Sequence, residues 1–390
     1  MLDLADAPVV DVHCHPWRND ALLDADPERF EDRVTMMGMC LLSSGMAAGT
    51  REEHLRMLTD STPMALRLRR ELATYLGCGP SREAVAEARH TQLAADPPGY
   101  IRGLLDDANV VGLVYDEGYP QPTISYDDFS AATRTTLYRV ARIEPWIAAL
   151  RDQARTFDEL EDAFIAELDR AAADPHMVAY KSVIAYRTGL DVGAPSRDES
   201  RSAFQQWRED GFRESREHAK PVRDALLRRA LEAGKRHDRP LHIHCGGGDP
   251  DVVLSHAHPQ DLFPLLREHL GQPIVLIHSG WPWIEEAAYI ASILPYVYLD
   301  MSVLVPWGSL AIDQKLEVLL GAAPCAKVLY GSDEASEPEV LWLAARVGRE
   351  ALERVLSVAV ERRWLSEPEA QRMGRGILAE NALRLHGMAG

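Results

Sequence analysis

Basic residues are scarce in this sequence of 390 residues, which has 42 Lys and Arg against 60 Asp and Glu and a formal net charge of -18. An acidic protein has little non-specific attraction for phosphate backbones or for anionic lipid surfaces. We therefore expect neither nucleic acid nor a membrane among the partners of this protein.

Cysteines and long apolar runs are also few. The five cysteines are odd in number and scattered, which does not favour a disulfide framework. The longest weakly polar stretch, residues 36–49, is too short to span a bilayer, and the acidic start Met1-Leu-Asp-Leu-Ala-Asp lacks the basic residues of a secretory signal. These absences predict a cytoplasmic protein with an ordinary globular composition.

Short apolar runs rich in β-branched residues recur along the chain, and helix-length segments separate them. Strands that alternate with helices are typical of parallel βα units, and eight such units close a barrel. The sequence therefore predicts an α/β fold, a (β/α)8 TIM barrel. The eight predicted strands are Val9–Val12, Val110–Tyr115, Leu137–Ile143, Met177–Ile184, Leu241–His244, Ile274–Ile277, Val297–Met301 and Val328–Tyr330.

Two insertions interrupt the regular spacing of strands and helices. Residues 17–102, after the first strand, are rich in helix-forming residues and predict a helical insertion, and residues 187–219 predict a polar, partly helical loop. Loops that follow barrel strands lie on the face where active sites form, so both insertions are candidates for walls or lids. No interdomain linker is evident, and we expect residues 1–390 to form a single domain.

Five potential metal ligands stand at or near strand ends. His13 and His15 are two apart, so on a strand they point to the same side, while His244, His278 and Asp333 stand at or just beyond the ends of the fifth, sixth and eighth predicted strands. Taken singly, such residues are more often structural: a histidine packs or hydrogen-bonds, and an aspartate caps a helix. Together, however, they would converge on one face of a closed barrel, which favours a metal site.

Three neighbouring features of the sequence bear on this ligand set. His242 shares a strand face with His244 and is the second choice as the ligand from that strand, because it lies deeper. Cys14 and Cys245 point away from the adjacent histidines on an extended strand and are interpreted as packing residues. Lys181 lies in the fourth strand, where an ammonium would be a poor neighbour for a cation because it offers no lone pair.

In order and spacing, His13-x-His15, Lys181, His244, His278 and Asp333 resemble the metal-site pattern of the amidohydrolase superfamily. Three longer phrases resemble the amidohydrolase-like domain of FluG-type proteins, in which a glutamine synthetase-like domain is also present. No second domain of that kind is evident in this sequence. The phrases are Tyr180-Lys-Ser-Val-Ile-Ala-Tyr-Arg-Thr-Gly-Leu190, His244-Cys-Gly-Gly-Gly-Asp-Pro-Asp251 and the tail from Tyr330-Gly-Ser-Asp to Asn381-Ala-Leu-Arg-Leu385.

The resemblance implies roles for the six residues. His13 and His15 would hold the more buried metal together with Asp333, and His244 and His278 would hold the more exposed one. In binuclear relatives the lysine of the fourth strand becomes an anionic carbamate that bridges both ions, which makes Lys181 the candidate. A mixed set of imidazole and carboxylate ligands suits zinc first, with manganese and iron as alternatives.

Such a site predicts hydrolysis of a small-molecule substrate by metal-activated water, with Asp333 as the general base and then acid. The resemblance favours an amide over an ester, and a carboxylate-bearing substrate such as a γ-glutamyl amide. Arg187 is the candidate for binding that carboxylate, although a surface or loop-anchoring salt bridge is an equal alternative. Trp17 and Trp281 are candidates for apolar walls, although both could instead pack the inserted helices.

Alternatives to an amidase stay open at this level. The same pattern resembles decarboxylases that use one metal, in which the lysine need not be a carbamate, and a lactonase is a further hydrolase that fits. A metal-containing scaffold subunit is the non-enzyme alternative, but a scaffold has no need of an open coordination position. The sequence is also compatible with a homo-oligomer.

Overall fold

Eight short parallel strands form the centre of the structure, a computed structural model that describes residues 2–24, 26–43, 51–120 and 122–388. The strands pair in chain order from first to last, as expected for a barrel built of successive βα units. They are β1 Val9–Cys14, β2 Val110–Asp116, β3 Thr136–Arg142, β4 Met177–Ser182, β5 Leu241–His244, β6 Ile274–Ile277, β7 Val297–Asp300 and β8 Val328–Leu329. The predicted TIM-barrel fold is confirmed.

The two edges of the sheet meet between the last strand and the first. The backbone N–H of Val12 donates to the carbonyl of Tyr330 at 3.0 Å, one residue beyond β8. Closure removes the exposed sheet edge and brings the carboxyl ends of all eight strands to one face. Most strand residues are buried, which explains why the amino-acid sequences of these strands are nearly continuous runs of apolar residues.

Helices surround the barrel and also fill the segment between β1 and β2. Because the sequence around them is rich in Ala, Leu, Arg and Glu, helix formation there is favoured over strand formation. The α-helices of the described residues are α1 Asn19–Asp24, α2 Phe30–Val34, α3 Met36–Ser43, α4 Glu52–Asp60, α5 Pro63–Leu76, α6 Arg82–Ala95, α7 Pro97–Asp107, α8 Tyr126–Thr133, α9 Ile143–Arg151, α10 Phe157–Ala172, α11 Arg197–Glu209, α12 Ala219–His237, α13 Phe263–Glu268, α14 Ile284–Ile293, α15 Ile312–Ala322, α16 Pro338–Glu361, α17 Glu367–Arg375 and α18 Asn381–His386.

Shorter helical turns lie in several of the loops. Within the described residues, the 3₁₀ turns are Pro27–Arg29, Ile184–Tyr186, Leu254–His256, Pro259–Leu262, His278–Gly280, Ser309–Ala311 and Cys325–Lys327, and a π-helical turn spans Gly376–Glu380. Of the segment predicted as a helical insertion, 17–102, residues 25 and 44–50 lie outside the described residues. None of the helices in the described ranges is long and apolar enough to cross a membrane.

A buried ion-pair network joins the β1–β2 helices to the segment that follows β8. Arg89 of α6 is 2% exposed and donates to Glu339 at 2.6 Å and to Glu337 at 2.7 Å. The hydroxyl of Tyr100 on α7 also donates to Glu339 at 2.8 Å, and Arg33 of α2 pairs with Glu337. The loop that leads from β8 into α16 is therefore held against the inserted helices by groups that are desolvated and must stay paired.

Replacing Arg89 tests this link. Arg89→Met should lower the free energy of unfolding by about 3–5 kcal/mol, because, among the residues that the structure describes, Glu337 loses one of its two cationic partners and Glu339 loses its only one. Urea denaturation followed by tryptophan fluorescence measures the change. Arg18→Met is the control, since Arg18 pairs with Asp20 in solvent and its loss should leave the urea midpoint unchanged. An Arg89→Met protein as stable as the parent would contradict the assigned role of the network.

Candidate active site

The junction of β1 and β8 brings the first ligand candidates together. The backbone N–H of Asp333 donates to the carbonyl of His13 at 2.7 Å, and that of His15 donates to the carbonyl of Glu334 at 2.6 Å. The side chain of Asp333 consequently faces both histidines: its Oδ1 lies 2.9 Å from His13 Nε2 and 3.6 Å from His15 Nε2. Asp333 has a φ of 64°, a left-handed conformation that is uncommon outside glycine and is typical of functional positions.

His244 and His278 complete the histidine cluster from β5 and from the end of β6. His278 Nε2 lies 3.2 Å from His244 Nδ1 and 3.9 Å from Asp333 Oδ2. The other ring nitrogen of His278 lies 2.8 Å from the hydroxyl of Ser302, which in turn donates to Asp300 at 2.8 Å. Hydrogen bonds of this kind fix the ring of a metal-ligating histidine, so Ser302 and Asp300 orient His278.

Lys181 of β4 lies beneath this cluster and is fully buried. Its Nζ is 3.2 Å from His13 Nε2 and 3.8 Å from an oxygen of Asp116, the last residue of β2. Asp116 also accepts two-point hydrogen bonds from Arg142, the last residue of β3, the shortest being 2.6 Å. Burial lowers the pKa of Lys181, and attraction to Asp116 opposes that effect.

The protonation states of the cluster suit a metal. Burial and the nearby Lys181 lower the pKa of His13 to about 3, and burial lowers that of His278 to about 4, so both rings are neutral and offer a lone pair at neutral pH. Burial alone would raise the pKa of Asp333, but its interactions with His278, His13 and His15 hold it well below its usual range.

Two sets of three side chains have ligand atoms within 4.8 Å of one another: His13 with His15 and Asp116, and His13 with His278 and Asp333. Several buried ring nitrogens, including His15 Nδ1 and His244 Nε2, lack a hydrogen-bond partner within the described part of the chain. Neutral imidazoles beside carboxylates, with nitrogens left unsatisfied, are a donor set that fits a divalent ion.

A cavity of about 240 Å³ opens above the cluster, a size that fits a small molecule. All six predicted metal-site residues line it, as does Arg187, which has no ion-pair partner among the residues described. Helix α3 of the segment between β1 and β2 supplies part of the wall. The other lining residues are Met36, Met39, Cys40, Tyr119, Arg142, Val183, Tyr186, Gly248, Asp249, Asp251, Val303 and Ala335.

Trp17 and Trp281, predicted as apolar walls, are not part of this lining. Trp17 is buried and packs edge-on against Phe129 with ring centres 5.0 Å apart, and Lys315 lies over the ring of Trp281. Both follow ligand strands directly, but the chain turns at these points and directs them into packing contacts. His242 is also outside the lining and lies 2.9 Å from His386 through its Nε2.

Sequence reasoning missed Asp116, Arg142 and Tyr186. Asp116 had a signal of the kind that identified Asp333, because this carboxylate directly follows the predicted strand Val110–Tyr115 and Gly118 comes two residues later. Arg142 lay inside the predicted strand Leu137–Ile143, and Tyr186 lay within a phrase already linked to the FluG-type resemblance. Nothing in their spacing indicated that Arg142 and Tyr186 would line the same cavity or that Asp116 would pair with Arg142 beside it.

Comparisons with known proteins agree with this geometry. A family profile described as Amidohydrolase matches residues 10–388. The chain belongs to the amidohydrolase family. A curated relative, protein FluG of Emericella nidulans, is 31% identical over 346 residues, which are 81% of this chain and 40% of FluG. The predicted resemblance is confirmed, and this amidohydrolase chain spans less than half the length of that relative.

Solved structures share the fold of this amidohydrolase. A protein of Lactobacillus casei assigned as a metal-dependent hydrolase aligns with a TM-score of 0.82 at 22% identity, covering 99% of this chain and 98% of that one. A uronate isomerase of Thermotoga maritima aligns with a TM-score of 0.71 at 15% identity, covering 98% and 95%. At these identities the likeness establishes a fold used by hydrolases and isomerases, not a particular reaction.

Metal analysis tests the cluster directly. His13→Ala should lose stoichiometric metal, because His13 belongs to both ligand sets, whereas His242→Gln should retain the parent content because His242 contacts His386 instead. Elemental analysis of folded protein prepared with added zinc measures both. Equal metal loss in the two variants, or no metal in the parent protein, would contradict the assignment.

Proposed function

We propose that this protein is a metal-dependent hydrolase that cleaves an amide C–N bond of a small, carboxylate-bearing substrate. The observation that carries the proposal is the meeting of neutral histidines and the ionised Asp333 at the floor of a cavity that also contains Arg142 and Arg187. Membership in the amidohydrolase family supports hydrolysis as the reaction.

His13, His15, His244, His278 and Asp333 would hold one or two divalent ions, zinc first and manganese or iron as alternatives. Asp116 is a further candidate for the set that contains His13 and His15. Such an ion supplies Lewis acidity, which polarises a carbonyl and lowers the pKa of water. The protein contributes the orientation of the ligands, including the hydrogen bond that fixes His278.

Asp333 is the residue that we assign to proton transfer. One of its oxygens lies beside His13 and His15, the other is 3.9 Å from His278, and the residue lines the cavity. With its pKa held low by these neighbours, the carboxylate is ionised and can accept a proton from the attacking water. It would then donate that proton to the departing nitrogen, which cannot leave as an anion.

Two arginines support a carboxylate-bearing substrate. Arg187 is exposed at the cavity and has no ion-pair partner in the described ranges, so its guanidinium is available for a two-point contact. Arg142 is held rigidly by Asp116 on one side while it borders the cavity. A γ-glutamyl amide carries a matching carboxylate, and the likeness to part of FluG favours that class.

Lys181 is the proposed site of carbamylation if two ions bind. Lys181 is buried beside His13, and burial lowers its pKa. The lower pKa increases the fraction of the side chain in the neutral amine form, which is the form that attacks carbon dioxide. An anionic carbamate in place of an ammonium would relieve the repulsion between Lys181 and two cations.

Removing Lys181 tests this step. Lys181→Ala should lose metal at one or both positions, and short carboxylates such as acetate or propionate should restore part of the metal content by replacing the bridge. Metal content with and without these acids is the measurement. An ordered, unmodified lysine beside two bound ions in a crystal structure would overturn the carbamate proposal.

Replacing Asp333 tests the proposed reaction. Asp333→Asn should keep the fold but lower turnover at least ~10²–10⁴-fold, since an amide cannot exchange protons near neutral pH. Rates on a panel of γ-glutamyl amides, N-acyl amino acids and lactones, measured together with metal content, separate chemistry from metal loss. A metal-loaded Asp333→Asn enzyme with normal turnover would exclude the assigned role.

Arg187→Ala should mainly raise KM for substrates with a carboxylate and leave amides without one unaffected. An interaction that is equally strong in the bound substrate and in the transition state changes KM and not kcat. The same panel provides this comparison.

If the parent enzyme instead releases carbon dioxide from a carboxylic acid, it is a decarboxylase, and turnover of lactones alone would make it a lactonase.

A further inference from the structure

Tyr186 borders the cavity next to one of the metal-site histidines. It ends the 3₁₀ turn Ile184–Tyr186, directly after β4, and its ring lies 4.5 Å from the ring of His244, measured between centres. This position is on the side of His244 where the loop after β5 folds back over the site. Any substrate carbonyl held near His244 would lie close to the phenol.

The hydroxyl of Tyr186 accepts a hydrogen bond, but within the described residues its own proton has no acceptor. It accepts from the backbone N–H of Asp249 at 3.1 Å, and it donates to no acceptor among the described residues. A phenol can donate one hydrogen bond as well as accept, and an unused donor in a partly buried site is unfavourable. The Asp249 contact fixes the oxygen in place and leaves the proton available to a group in the cavity.

Gly248 is what allows this contact. A Cβ at position 248 would lie 1.9 Å from the Tyr186 oxygen and 3.0 Å from His244 Cε1, so any side chain there would force the phenol or the loop to move. The glycine lets the loop backbone approach the ring closely, as is common where a backbone shapes a ligand site. Phenol, loop and His244 therefore form one packed unit.

We propose that Tyr186 is a catalytic residue that donates its hydroxyl hydrogen to the carbonyl oxygen of the scissile amide. This inference rests on the proposed amide hydrolysis. When water adds to the carbonyl carbon, the carbon–oxygen double bond opens and negative charge develops on the oxygen. A fixed donor aimed at that atom stabilises the transition state more than the bound substrate, so its contribution appears in kcat.

Tyr186→Phe, which removes only the hydroxyl oxygen, is the test on the metal-loaded full chain. It should lower kcat by ~10²–10³-fold with KM nearly unchanged, as for loss of one donor to a developing oxyanion, and metal content should stay equal to that of the parent. Tyr180→Phe is the matched control, because Tyr180 donates to Leu168 in the core and does not line the cavity. It should leave kcat unchanged.

A tetrahedral inhibitor separates chemistry from loop anchoring. A phosphonamidate analogue of γ-glutamyl methylamide mimics the tetrahedral transition state, and its inhibition constant should rise with Tyr186→Phe by the same factor by which kcat/KM falls, while inhibition by free glutamate should not change. If Tyr186 only anchored the loop, both inhibitors would weaken together, which would overturn the inference.

Gly248→Ala provides a second variant that keeps the hydroxyl but forces the phenol or the loop beside it to move, and it should also lower kcat. Full activity in Tyr186→Phe would overturn the role of Tyr186 while leaving amide hydrolysis in place. A parent enzyme that is loaded with metal and hydrolyses no amide on the panel would overturn the proposed function and this inference with it.

Discussion

Closure of the barrel between its first and last strands is the constraint on which the site depends. The hydrogen bonds from Val12 to Tyr330 and from Asp333 to His13 fix the end of β1 against the segment that follows β8. A slip of one residue would turn each side chain to the opposite face of its strand. The backbone pairing thus decides that Asp333 meets His13 and His15 rather than the outer helices.

The site concentrates charged side chains where solvent is excluded, and several of them are paired locally. Asp116 pairs with both Arg142 and Lys181, and Arg89 pairs with Glu337 and Glu339 beyond the end of β8. Such arrangements are costly to desolvate and are stable only when complete. His278 and Asp333 add backbone strain, since both have left-handed φ values near 65°. The surrounding pairs hold these ligands in conformations that isolated residues would avoid.

The wall of the cavity comes from parts of the chain that the barrel alone does not require. Helix α3 supplies Met36, Met39 and Cys40, while the loop after β5 supplies Gly248 and Asp249. Barrels commonly change specificity through such loops while the strand ends keep the chemistry. In the reaction proposed above, the two arginines at this cavity bear on which substrate is used, and the histidines, Asp333 and the phenol bear on how it is attacked.

The sequence by itself determined the fold class and the residues at the strand ends, because apolar runs, their spacing and ligand-type side chains are all local properties of the chain. Only the tertiary structure decided which of them share a cavity. It brought Asp116, Arg142 and Tyr186 to the site and directed Trp17, Trp281 and His242 into packing contacts elsewhere. These outcomes depend on register, on turn direction and on pairing between residues far apart in the chain. Local sequence patterns do not predict these positions, because each position depends on the free energy of burying and pairing groups across the whole barrel.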